Sequence, residues 1–215
     1  MKPKVTVVDY GMGNLFSVRR ALEFCGGDVC LSSAPQEIAE AVRIVLPGVG
    51  AFSDGMAGLR ERRLIEPLIA YAHSGRPFLG ICLGMQMLLS VSEEFGEHQG
   101  LDLIPGRVAE IPATGPAGAR RKIPHVGWAE LTQPSVLPSW EGTILADVSP
   151  RGSVYFVHSY TALPEDETHR FADSDYDAFR ISAAIRAGSV YGCQFHPEKS
   201  GPIGLGILKR FLSLK

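Results

Sequence analysis

The spacing of apolar and polar positions divides the chain into two halves. Lys4–Asp9 is a β-branched run that ends at Tyr10-Gly11-Met12-Gly13, so a strand followed by a turn is predicted. Leu15, Val18, Leu22 and Cys25 recur at helical spacing and mark one face of a helix, which Gly26-Gly27 stops. Val29–Leu31 predicts a short strand, Ala34–Ala41 a helix entered near Pro35, and Arg43–Leu46 a strand stopped by Pro47-Gly48. A helical stretch runs from about Gly55 to His73. Phe78–Ile81 reads as a buried strand and Leu83–Ser90 as a helix. This alternation predicts a parallel sheet covered on both faces.

The second half has a different rhythm. Arg107–Ile111, Gly127–Leu131, Ser153–Val157, Phe179–Ile185 and Val190–Phe195 read as short strands with turns between them. Ala113–Arg121 is small, rich in Pro and Gly, and reads as a loop; Ile203–Leu212 closes the chain as a helix. Strands that follow one another without helices predict antiparallel additions. The fold class is therefore α/β: an open, twisted, mostly parallel sheet flanked by helices, with antiparallel strands added in the C-terminal half. With no long linker, repeat or low-complexity tract, residues 1–215 are expected to form a single domain.

Composition narrows the functions open to such a fold. With 45% hydrophobic and 20% charged residues among 215, a disordered chain is excluded. A net charge of −2 leaves no basic excess to hold phosphate backbones, so no nucleic-acid partner is expected. No apolar run reaches the length of a membrane helix, so no membrane association is expected. Asp9 cuts the first apolar run too short for a secretion signal, which predicts a cytoplasmic protein. Cys25, Cys30, Cys82 and Cys193 form no disulfide framework; Cys25, Cys30 and Cys193 read as small buried hydrophobes. The six histidines lack metal-ligand spacing, and no metal or structural zinc is expected.

Three segments can carry chemistry. In Gly80-Ile81-Cys82-Leu83-Gly84 a strand runs straight into a helix with a thiol at the junction, the cysteine form of a nucleophile elbow. Flanking glycines leave room for the bend. The free N–H groups and dipole of a Leu83–Ser90 helix favour thiolate, and the Leu83 N–H points beside the sulfur, where an oxyanion can be held. In Gln194-Phe195-His196-Pro197-Glu198, an imidazole follows an apolar strand with a carboxylate two residues on. In extended geometry both side chains point the same way, so Glu198 can orient one ring nitrogen while the other serves the thiol. Pro47-Gly48-Val49-Gly50 ends another strand in a glycine-rich loop able to turn an N–H toward an anion. Gly11-Met12-Gly13-Asn14 lacks the third glycine of a dinucleotide fingerprint, and no phosphate-binding P-loop sequence occurs.

Together, Gly80-Ile81-Cys82-Leu83-Gly84-Met85-Gln86 and Gln194-Phe195-His196-Pro197-Glu198-Lys199-Ser200 resemble the class I (triad) glutamine amidotransferases, whose fold is flavodoxin-like. Tyr10–Leu15, Lys122–Trp128 and Tyr155–Tyr160 narrow the resemblance to the branch of glutaminase subunits that serve imidazole glycerol phosphate synthases in histidine biosynthesis. That resemblance implies a Cys82, His196 and Glu198 triad that hydrolyses L-glutamine to glutamate and ammonia. It implies an oxyanion site of Leu83, Val49 and Gly50, and glutamine binding by Gly48, Gln86, Ser159 and Tyr160. It requires no cofactor.

The implied partner is a (βα)₈-barrel cyclase subunit that takes up the ammonia and makes imidazole glycerol phosphate and AICAR from PRFAR. With this chain ending at residue 215, the cyclase is expected to be a separate chain of a heterodimer. The resemblance places Tyr155, Lys199, Lys122, Pro124, His125 and Trp128 near that interface. The residues alone leave another reading open, with Tyr155 and Trp128 as core aromatics and Lys199 as a solvated charge. Arg120-Arg121-Lys122 reads as an interface patch or a solvated loop, the loop being the default. The family also implies low activity without the partner; a Val49-Gly50 peptide that points its carbonyl at the oxyanion site until the partner's ligand binds would account for it, and Gly50 makes such a flip cheap. Other readings are a glutaminase serving another synthase, an inactive scaffold, and a cysteine hydrolase on the same elbow.

Overall fold

The β-branched run at the N-terminus forms the first strand, β1 (Lys4–Val8), of a computed structural model that describes residues 1–136, 139–149 and 151–214. The strand–helix alternation follows: α1 (Leu15–Phe24), β2 (Asp28–Ser32), α2 (Pro35–Glu40), β3 (Ile44–Gly48), α3 (Phe52–Glu61), α4 (Ile65–His73) and β4 (Phe78–Cys82). A single helical turn, α5 (Leu83–Gln86), leads into β5 (Leu89–Ser92), β6 (His98–Gln99), β7 (Ile104–Glu110), β8 (His125–Glu130), β9 (Ser153–His158) and β10 (Tyr160–Pro164). Then come β11 (Arg170–Tyr176), β12 (Phe179–Ala187), β13 (Val190–Cys193) and α6 (Gly201–Ser213).

The main sheet has seven strands in the order β11-β12-β13-β4-β3-β1-β2. β2, β1, β3, β4 and β13 run parallel, and β12 and β11 extend them antiparallel. This is the predicted α/β class. Not all the later strands join the main sheet. Four form a second sheet, β10-β7-β5-β6, and β8 and β9 make a two-stranded one.

Burial explains why the central strands read as continuous apolar runs. In β3, Val45 enters one apolar cluster while Ile44 and Leu46 enter the other. A strand covered on both faces shows no polar alternation. One cluster takes Val18 and Leu22 from α1 with Ile207, Leu208 and Phe211 from α6. The other takes Ile38, Met56, Leu59, Leu68 and Tyr71 from α2, α3 and α4, together with Leu89, Ile104 and Val108 from the second sheet. Each fully buried aliphatic side chain here contributes about 1.5–3 kcal/mol.

Two predicted helices come out differently. The stretch from Gly55 to His73 is two helices. The N–H of Leu64 donates to Leu59 O (2.9 Å) and that of Arg63 to Arg60 O (3.0 Å), with Arg63 at φ 57°. This is the left-handed helix stop normally signalled by glycine, as at Gly26 (φ 92°) after α1; an arginine there carries no sequence signal. The predicted Leu83–Ser90 helix is only the turn α5. Met87, Leu88 and Leu89 are all buried, so helix and strand look alike in sequence, and parallel pairing of β5 with β7 decides for strand.

Two smaller expectations change as well. Cys30 is exposed and Cys25 partly exposed; of the three, only Cys193 is a buried hydrophobe. Arg121 is neither interface nor solvated loop. It is buried, donates to Thr114 O (3.1 Å), Asp177 O (3.0 Å) and Pro112 O, and staples the loop to the sheet.

Close packing at the start of α5 gives a test. A Cβ at Gly84 would run into the Leu46 carbonyl oxygen, whereas one at Gly206 in α6 meets nothing among the described residues within 4 Å. Gly84→Ala should lower unfolding free energy by at least about 2 kcal/mol. Gly206→Ala should raise it by roughly 0.5–1 kcal/mol. Urea titration checks both, and equal midpoints would contradict the packing described.

Candidate active site

The bend between β4 and α5 holds Cys82 at φ 54° and ψ −111°, a conformation that costs a non-glycine residue roughly 1–3 kcal/mol. Neighbours enforce it. Gly84 lies against the Leu46 carbonyl of β3, and a Cβ at Gly80 would stand 2.6 Å from Gly84 O. The sulfur therefore projects beyond the carboxyl end of the sheet. A single turn has little macrodipole, so the helix-dipole argument for a Leu83–Ser90 helix does not apply. What remains is the N–H of Leu83, the first residue of α5, which has no partner within its own turn.

His196 lies three residues beyond β13, the parallel neighbour of β4, with Cys193 in register with Ile81. Its N–H donates to Tyr155 O (2.9 Å), and its carbonyl accepts from Ser200 Oγ (2.6 Å). The segment Pro197–Lys199 is a 3₁₀ turn rather than the extended backbone predicted. The turn still folds Glu198 back, with Oε1 2.9 Å from His196 Nδ1. Both side chains are almost wholly buried, at 3% and 1% exposed. Among the described residues His196 Nε2 has no regular hydrogen-bond partner, and the ring shares a cavity with Cys82. Burial opposes an imidazolium at this place. Interaction with the Cys82 sulfur, and then with Glu198, outweighs it and pushes His196 up to about 9.

The cavity is about 500 Å³. Val49, Gly50, Cys82, Leu83 and Gln86 line it, together with His158, Ser159, Tyr160 and His196. The structure thus gathers all three triad candidates, the three oxyanion candidates and three of the four glutamine-binding candidates. Gly48 stands just behind, buried beside the Tyr10 hydroxyl, which donates to Pro47 O (2.8 Å). Gln86 Nε2 donates to Tyr160 O (3.2 Å) and Gln194 Oε1 (3.1 Å), and Gln194 Nε2 reaches toward Cys82 Sγ at 3.8 Å. Thiol, imidazole and carboxylate so placed can attack an acyl carbon and pass a proton to its leaving group.

Three residues at or behind the cavity escaped sequence reasoning. Gln194 sits in a motif that was singled out for its His and Glu only. Glu94 and Glu110 place carboxylates on the wall. Glu94 Oε2 also accepts the Phe52 N–H at 2.6 Å, tying down the far end of the Val49–Gly50 segment across 42 positions that share no local pattern.

The interface candidates separate by exposure. Trp128 is 58% exposed and lies edge-on to Tyr155, its cross-strand partner, with ring centroids 6.0 Å apart. Val126 and Val157 are exposed beside them, and Val157 also lines the cavity. Lys122, Pro124 and Lys199 are exposed. His125 does not belong to this face. It occupies an inward position of β8 and is buried, because alternation along the strand sends Val126 and Trp128 outward and His125 in.

Residues 6–214 match the family model for class-I glutamine amidotransferases. The chain is 54% identical to imidazole glycerol phosphate synthase subunit HisH 1 of Legionella pneumophila (strain Paris), over 98% of this chain and 99% of that one. It is 44% identical to the HisH subunit of Geobacter sulfurreducens, over 99% of each. In fold it resembles a chain of PurLQS from Thermotoga maritima, with a TM-score of 0.74 at 19% identity over 99% of this chain and 98% of that one. A solved glutamine amidotransferase gives a TM-score of 0.71 at 15% identity, over 97% and 99%.

The coupling of His196 to sulfur is measurable. In ¹⁵N-imidazole titrations by NMR, wild-type His196 should titrate well above 6.5, near 9. Cys82→Ala should bring it down, since burial then faces Glu198 alone. An unmoved titration would disconnect the two side chains.

Proposed function

The chain belongs to the class-I glutamine amidotransferases, and on that premise we propose that it is the glutaminase subunit of an imidazole glycerol phosphate synthase. It has the family's α/β fold, and residues 1–215 act as one amidotransferase domain. The observation that carries the chemistry is that Cys82 and His196 share one cavity while Glu198 holds the other face of the His196 ring through Nδ1. The choice of synthase rests on HisH relatives matched along nearly the whole chain.

In this reading the Cys82 thiolate attacks the side-chain amide carbon of L-glutamine. Leu83 N–H and an N–H of the Val49–Gly50 segment hold the oxyanion, each contributing roughly 10²–10³ in rate. His196, oriented by Glu198, gives its proton to the departing nitrogen, the C–N bond breaks, and ammonia leaves. Water, deprotonated by the same imidazole, then cleaves the glutamyl thioester to glutamate and restores the thiol. Gly48, Gln86 and the Ser159–Tyr160 backbone hold the α-amino and α-carboxyl groups. Glu94 and Glu110 add negative charge suited to the α-ammonium.

Ammonia lost to water, or protonated, is no nucleophile for a second site, so a partner must seal the cavity. Exposed Trp128, with Tyr155 beside it, and exposed Lys122, Pro124 and Lys199 suit a (βα)₈-barrel cyclase that converts PRFAR to imidazole glycerol phosphate and AICAR. The two form a heterodimer whose nucleotide ligand activates the glutaminase. The working compartment is the cytoplasm, where a reducing environment keeps Cys82 a thiol.

The deciding assay measures glutamate release by the chain with its cyclase and the cyclase's nucleotide ligand. Cys82→Ala should lower the rate at least about 10³-fold. Equal rates for the two proteins would reject the enzyme assignment.

The flip of the Val49–Gly50 peptide gives a second test. Gly50 has φ 107°, which proline cannot adopt. Gly50→Pro should abolish most of the ligand-stimulated rate. Full stimulation in that variant would rule the flip out.

A further inference from the structure

Two buried histidines lie side by side on β8 and β9, His158 on the cavity and His125 next to it, and the acyl-transfer chemistry gives neither a part. His125 opens β8 and is paired in register with His158 at the end of β9. The His125 ring is stacked between Phe156 (centroids 4.9 Å apart, 22° between planes) and Tyr176 (4.0 Å, 23°). Its Nδ1 lies 3.1 Å from His158 Nε2, and His158 Nδ1 lies 2.8 Å from the Tyr160 carbonyl oxygen.

The carbonyl end fixes the direction of the chain. A carbonyl only accepts, so His158 Nδ1 carries a proton and donates. A neutral imidazole has one N–H, so His158 Nε2 accepts, and His125 Nδ1 is the donor. The result is a one-way relay: His125 N–H to His158, and His158 N–H to the carbonyl of Tyr160. Both rings stay neutral near pH 7. Burial first of all pushes His158 down to about 4; the bond to Tyr160 O opposes this, and the charges of His125 and His196 reinforce it. Burial also lowers His125, against Asp177. Around the pair stand Asp177, His196, Glu110 (registered with Tyr160), and Tyr176, whose hydroxyl donates to Lys122 O at 2.5 Å.

The same Tyr160 carbonyl accepts from Gln86 Nε2, so two donors from different elements hold one oxygen. The Ser159 carbonyl is held in turn by the Ile111 N–H (2.9 Å). Ser159–Tyr160 is a cavity wall. We propose that His125 and His158 are positioning residues that fix the Ser159–Tyr160 backbone for the α-amino and α-carboxyl ends of glutamine. His125, which lies behind the wall, thereby sets glutamine affinity without touching the substrate. This rests on the glutaminase reading above.

The test uses the complete synthase with the cyclase's nucleotide ligand present. His125→Phe keeps a stacking ring but removes the donor. His125→Asn keeps a donor at the Nδ1 position. His125→Phe should raise KM for glutamine about tenfold, the size of one lost neutral hydrogen bond, with kcat within about threefold of wild type. His125→Asn should restore KM to within about threefold. The ¹⁵N spectrum should show His158 as the Nδ1–H tautomer in wild type, and its titration should move upward in His125→Phe. Alkylation of Cys82 by iodoacetamide, which has no α-carbon ends, should proceed equally in wild type and His125→Phe when followed at that peptide by mass spectrometry.

A wild-type KM in His125→Phe would overturn the proposal alone. So would a rise in KM accompanied by a parallel loss of Cys82 alkylation, or an asparagine variant no better than phenylalanine, since each marks a purely structural role. A wild type that releases no glutamate would overturn the glutaminase reading and this proposal together.

Discussion

Two parallel strands lie side by side, and their pairing sets where sulfur meets imidazole. β4 and β13 are hydrogen-bonded neighbours with Ile81 opposite Cys193, so both chains leave the sheet at the same edge. Strand spacing is about 4.8 Å, so Cys82 at the end of β4 and His196 three residues past β13 open onto one cavity. Everything between β4 and β13 is a crossover more than a hundred positions long, and that crossover is used. β9, β10 and Ser159 between them lie within it and add Val157, His158, Ser159 and Tyr160 to the cavity lining.

Two buried cysteines at neighbouring strand ends show what surroundings do to one side chain. Cys193 lies inside the sheet, where burial and the charge of Glu198 hold its thiol far above the usual range. Cys82, only one residue beyond the register partner of Cys193, stands out of the sheet and shares a cavity with an imidazole. Removing a carboxylate as deeply buried as Glu198 from water is costly. The imidazolium that it and the Cys82 sulfur favour repays part of that cost, which makes the three groups one electrostatic unit rather than three separate sites.

Much of this was legible in the residues, for identifiable reasons. The first four strands and three of the helices announce themselves by apolar period and by stops such as Gly26-Gly27. The elbow announces itself by glycines with no space for a Cβ. Where reading failed, competing signals were equal or absent. A fully buried Met87–Leu89 run has no period, so β5 passed for helix. The left-handed Arg63 stops α3 without glycine. The inward position of His125 depends on which face of β8 is covered, and that is set by Phe156 and Tyr176 from other strands. Glu94 reaches the site only because β5 is a strand, the element that sequence reasoning missed.

The elbow's attitude is imposed from outside residue 82, by Leu46, Gly80 and Gly84, and nothing in that enforcement refers to sulfur. The scaffold specifies a pose and leaves the atom unspecified. Position 82 is thus a socket into which a hydroxyl would fit as readily as a thiol, while the glycines around it are closed to exchange. In a lineage built on this frame, reactivity can drift at one site while the hinge that presents it stays frozen.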